Sequence, residues 1–86
     1  MKQFDYTIQN PLGIDVRHTG LLAKLAKRYE DTTITFAKGN QVVHANQLSR
    51  MMRLAVKSGD NVVVTVDGPS EQNAYFNTRV FFENNL

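Results

Sequence analysis

The chain has 86 residues, 42% of them hydrophobic, with ten lysines and arginines against eight carboxylates, a formal net charge of +2 and no cysteine. A chain this short buries only roughly 60 to 65% of its unfolded surface, so it has one core and one domain, residues 1–86. Without cysteine there are no disulfides, no thiolate nucleophile and no thiolate-bound metal, and two histidines without a neighbouring carboxylate cluster do not make a zinc site. The longest apolar runs fall far below the ~20 residues of a membrane span, and the N-terminus has no apolar leader block, so the expected location is the cytoplasm. A charge of +2 nominates no nucleic acid.

Phe4, Tyr6 and Ile8 alternate with Gln3, Asp5, Thr7 and Gln9, the period of a half-buried first strand. Asn10-Pro11-Leu12-Gly13 breaks it. Residues 16–29 then carry Leu21, Leu25 and Tyr29 in one row and Leu22 and Ala26 in the next, a helix with Asp15 as N-cap and with Gly20 inside at a cost of about 1 kcal/mol. Residues 32–37 predict a second strand with Ile34 and Phe36 inward, Lys38-Gly39-Asn40 a turn, and residues 41–44 a third strand with His44 at the surface. Asn46 is suited to cap a second helix carrying Leu48, Met51, Met52 and Ala55. A fourth strand spans 61–66, Asp67-Gly68-Pro69-Ser70 closes it, and a final helix begins near Glu71. In that helix Tyr75, Phe76, Val80, Phe81 and Phe82 cover more than one face; Ala74, Thr78 and Phe81 are expected inward, Phe76 and Val80 outward, where they suit a weak homodimer.

The order βαββαβα puts helices on one face of a sheet, in the α+β class, but also suits RNA-recognition folds. The third strand lacks the aromatic such a fold would use for base stacking, so nucleic acid is not expected as a partner. No paired carboxylates, serine–histidine arrangement or phosphate-cradling glycine loop points to an enzyme.

Gly13-Ile14-Asp15-Val16-Arg17-His18-Thr19 resembles the phosphoryl-acceptor loop of the HPr family, the phosphocarriers of the bacterial phosphoenolpyruvate:sugar phosphotransferase system (PTS). That family's pattern runs glycine, an aliphatic residue, the phosphorylated histidine, any residue, arginine and proline. Gly13, Ile14 and Arg17 match it; Asp15 stands at the acceptor position and His18 at the proline position. The likeness continues through residues 48–56, Gly59, the run from Val62 to Val66, Asp67-Gly68 and Glu71-Gln72, with about one residue of slippage between Asp31 and Gly39. It implies the HPr open-faced β-sandwich, a four-stranded antiparallel sheet covered on one face by three helices, and no cofactor.

A helix N-terminus with unpaired N–H groups and partial positive charge is an anion site, here formed by Gly13, Asp15, Arg17 and His18. With the imidazole gone, the first reading is a non-phosphorylatable regulatory or adapter protein of the PTS in which Asp15 is a fixed charge, a partial mimic of the phosphorylated state, or only a helix cap. The second is an active phosphocarrier using His18, three residues on and on the same side of the helix, or failing that Asp15 as an acyl phosphate. For His18 the plain alternative is a first-turn surface residue. The resemblance also implies acidic PTS partners docking on Arg17, Lys24, Lys27, Leu48, Arg50 and Met52, with Arg53 nearby; Ser49 stands where the family places a bulky apolar group. Asn46 or Gln47 occupies the place of the regulatory serine of Gram-positive relatives, so control by the HPr serine kinase is not expected.

Overall fold

A computed structural model describes residues 1–86. The elements are β1 (Lys2–Thr7), α1 (Val16–Lys27), β2 (Thr33–Lys38), β3 (Gln41–His44), α2 (Leu48–Arg53), β4 (Asn61–Asp67) and α3 (Glu71–Asn85), in the order expected from periodicity. The sheet order is β1-β4-β2-β3 and every neighbouring pair is antiparallel.

Strand alternation fixes which residues meet across the sheet. Phe4 pairs with Val64, Val64 with Phe36 and Phe36 with Val43, one buried row under the helices. Shifted by one residue, Gln3, Thr65, Thr35 and His44 form a row on the uncovered face. On the covered face Leu22 and Leu25 from α1, Met51 from α2, and Ala74 and Phe82 from α3 complete one hydrophobic cluster. Phe82 is fully buried, its ring edge-on to Phe4 at 5.8 Å, Tyr6 at 5.5 Å and Phe36 at 6.5 Å. Removing such a ring costs roughly 3–5 kcal/mol.

Three sequence expectations need correction. On α3 the inward line is Ala74, Thr78 and Phe82, strict four-residue spacing; Phe81 is half-buried and turned toward α1, and Val80 is half-buried rather than outward. Phe76 is exposed at 65%, as expected. Asn46 does not cap α2: Gln47 holds the N-cap position without a capping bond, its side-chain oxygen accepting instead from the His44 N–H at 3.4 Å. Finally, α2 ends at Arg53 with Leu54 as its C-cap, because Ala55 takes a left-handed φ of 53° and leaves the helix.

Thr78 makes a test of the core. Its side chain is fully buried and its hydroxyl has no hydrogen-bond partner. A buried, unpaired hydroxyl costs about 1–3 kcal/mol, so Thr78→Val should raise stability by about 1 kcal/mol, read as a melting temperature higher by roughly 4–8 °C.

Candidate functional site

The site is the loop between β1 and α1, and its shape follows from local bonds. Asn10 folds the chain back: its side-chain oxygen accepts from the Leu12 N–H at 2.9 Å and its carbonyl from the Gly13 N–H at 2.9 Å. The Leu86 carbonyl accepts from the N–H groups of Gln9 and Asn10, while the Asn10 amide donates to the Asn85 carbonyl at 3.0 Å, which ties the loop to the end of α3. Gly13 is buried at a φ of 69°, and the next N–H, of Ile14, donates to the Val56 carbonyl at 3.1 Å. The loop is thereby clamped to the segment between α2 and β4. That segment is held in turn by Asp60, whose carboxylate accepts from the Lys57 N–H at 2.8 Å and pairs with Lys38 at 3.0 Å.

Asp15 is the N-cap, as its residue type predicts. Its Oδ1 accepts from the His18 N–H at 3.0 Å. The His18 imidazole reaches back in a capping box, with Nδ1 3.4 Å from the Asp15 backbone N and 3.1 Å from Asp15 Oδ1. His18 is 2% exposed and its ring lies edge-on to Phe81 at 6.5 Å. Neither sequence reading placed it there: it is not a surface residue of the first turn, nor does it reach toward solvent.

The His18 N–H, more than any other group, holds the Asp15 carboxyl below the usual aspartate value; the charge of Arg17 adds to it. The Lys57 N–H and then Lys38 do the same for Asp60. Each acid binds its proton more weakly folded than unfolded. Their contribution to stability is therefore complete above about pH 4 and is lost as pH falls through the lowered folded values. Melting followed by circular dichroism should show a steep loss below about pH 4 that is shallower in Asp60→Asn.

Arg17 is exposed and no carboxylate lies within 4 Å of it; the same holds for Lys24, Lys27, Arg50 and Arg53. Asp15 and Arg17 line none of the four surface depressions. Leu12 and Val16, on either side of Asp15 in the chain, are 80% and 60% exposed, and Leu48 and Met52, one turn apart on α2, are 38% and 48% exposed. α1 packs against α2. Arg50 and Arg53 border a depression with Gln41, Val43 and Leu54 at the β3 edge, Lys24 lines one against α3 and Lys27 one beside Thr33 and His44, so the expected docking residues share no single depression. Leu12 and Val16 were missed in the sequence, although a leucine between Pro11 and Gly13 and a valine outside the Leu22–Leu25 line signal them.

Residues 2–84 match the model of a family described as PTS HPr component phosphorylation site. The phosphocarrier protein HPr of Xylella fastidiosa is 30% identical over 84 residues, covering 98% of this chain and 93% of the relative. That of Cupriavidus necator is 34% identical over 74 residues, 86% of this chain and 82% of the relative. The crystal structure of HPr-C-His from Thermoanaerobacter tengcongensis superimposes with a TM-score of 0.88 at 26% identity, covering 96% of this chain and 92% of that one. Family, relatives and fold agree over nearly the whole length, and the chain belongs to the HPr phosphocarrier family of the phosphotransferase system.

Proposed function

We propose that this chain is a regulatory or adapter HPr, working in the cytoplasm, that docks on PTS proteins without accepting a phosphoryl group itself. In this reading Asp15 stands where the family's phosphorylated histidine stands. The observation that carries it is the state of the helix mouth: its titratable groups are a carboxylate engaged as N-cap and an imidazole that is 2% exposed with Nδ1 turned onto that carboxylate. A histidine accepts phosphate only if a neutral ring nitrogen reaches phosphorus in line with the donor, and a buried ring does not. The cap also places a negative charge where a second anion would have to bind, so the mouth resembles, in part, one already loaded.

Docking falls to the unpaired bases Arg17, Lys24 and Lys27 with Leu48 and Met52, joined by Leu12 and Val16 around the mouth. Such a surface suits acidic partners, with charge setting the encounter rate and apolar groups the lifetime. Incubation with phosphoenolpyruvate and the first enzyme of the system, followed by intact mass, should give no adduct. An adduct on residue 15 or 18 would overturn the reading. Added in excess, the chain should slow phosphoryl transfer from that enzyme to a histidine-bearing HPr, and Lys24→Glu with Lys27→Glu should relieve the slowing. Exposed Phe76 is the centre of the weak homodimer we propose on α3; sedimentation that stays monomeric at every concentration, for the native chain as for Phe76→Ser, removes it.

A further inference from the structure

α1 has a second flank, turned away from α2, with a different character. There it meets α3 across a groove of about 360 Å³. Leu21, 43% exposed, and the half-buried Val80 and Phe81 make the apolar floor, and Lys24 and Arg28 stand along the α1 wall. Neither Lys24 nor Arg28 has a carboxylate within 4 Å, and the acid nearest along α3, Glu83, is paired with Arg79 at 3.6 Å. The wall therefore carries two positive charges, neither of them in an ion pair.

Several occupants are disfavoured by this arrangement. Two copies joined groove to groove about a two-fold axis would set Lys24 and Arg28 against their own counterparts. A free inorganic anion would use the wall and leave the floor in water. A segment with acidic groups on one side and bulky apolar groups on the other meets both at once, its side chains between Leu21 and Val80 and its carboxylates on Lys24 and Arg28.

We propose that the α1–α3 groove is a second docking site, which takes an acidic amphipathic helix of a protein partner. It goes beyond the proposed docking at the helix mouth: Lys24 is common to both surfaces, but Leu21, Arg28 and Val80 belong to the groove alone, and Leu48 and Met52 stay uncovered. A protein with both surfaces joins two partners, which is what an adapter requires.

The test uses the ¹⁵N-labelled full chain titrated with a synthetic helical peptide of about four turns, glutamate on one face and leucine on the other. Amide shifts should move at Leu21, Arg28, Val80 and Phe81, and binding should weaken with added salt. Arg28→Glu and, separately, Leu21→Ser should each weaken binding about tenfold with the remaining spectrum unchanged. Three results would overturn the proposal: shifts confined to Leu48 and Met52, equal binding of the same peptide with lysine in place of glutamate, or groove shifts that appear without peptide as the chain is concentrated.

Discussion

Asp15→His, incubated with phosphoenolpyruvate and the first enzyme of the system, is expected to carry one phosphoryl group where the native chain carries none. On the proposed reading the loop needs only the imidazole. The loop is clamped by Gly13 and Ile14, position 15 opens the helix with its side chain 37% exposed, and the Arg17 guanidinium is in no ion pair. Removing the carboxylate releases the His18 N–H and takes a negative charge from the spot where phosphate brings about −1.5 to −2. A transferring phosphoryl group then meets unpaired N–H groups and the positive end of the helix rather than a like charge.

The phosphorylation rate should rise at least about a hundredfold over the native baseline, the order that one positioned reacting group contributes. Asp15→Asn, which removes the charge without adding a nucleophile, should stay unmodified. Adding Arg17→Ala to Asp15→His should lower the rate again, through the lost guanidinium. If Asp15→His folds normally and remains unmodified, residue 15 is not at the acceptor position and the regulatory reading loses its basis.

The features legible in the sequence are those whose causes are local. Phe4, Tyr6 and Ile8 repeat every second residue because a strand shows alternate faces, and Val62, Val64 and Val66 follow the same rule. Asp15 announced a cap because its oxygen needs only the N–H three residues ahead. The burial of His18 has no local cause. It depends on Phe81, brought over from α3 by the fold, so the same residue type reads as a surface histidine until both helices are placed.

The pair Phe81-Phe82 hid its register for a similar reason. The two side chains point about a hundred degrees apart on a helix, and only the tilt of α3 over Phe4 and Phe36 makes Phe82 the inner one. At α2 the difficulty was length. Six residues give too few turns for a periodic signal, so the separation of Arg50 and Arg53 from Leu48 and Met52 appears only once β3 is beside them. The residues proposed for docking were thus legible one by one, and their distribution over different depressions was not.

Gly13→Ala should lower the melting temperature by roughly 12–24 °C. Two costs coincide. At a φ of 69° an L-residue suffers the left-handed penalty of about 1–2 kcal/mol, and the added Cβ would also strike the Val56 carbonyl oxygen and approach the Lys57 Cα to 2.9 Å. These are backbone atoms, held by the Asp60 bonds to Lys57 and Lys38, so they cannot yield as a flexible side-chain tip would. Overpacking of this kind adds about 1–3 kcal/mol, a total near 3 kcal/mol, and each kcal/mol moves a domain of this size by roughly 4–8 °C. The Ile14 to Val56 bond would loosen with it, so in the Asp15→His background Gly13→Ala should also abolish the gained phosphorylation by freeing the loop. Gly20→Ala is the matched control. It lies inside α1 with nothing within 4 Å of its added Cβ, and relief of the glycine penalty should raise stability by about 1 kcal/mol. Opposite signs from the same methyl group, seven residues apart, would place the constraint at the clamp and not in helix propensity; a Gly13→Ala variant as stable as the native chain would show that the loop is not held by Val56 at all.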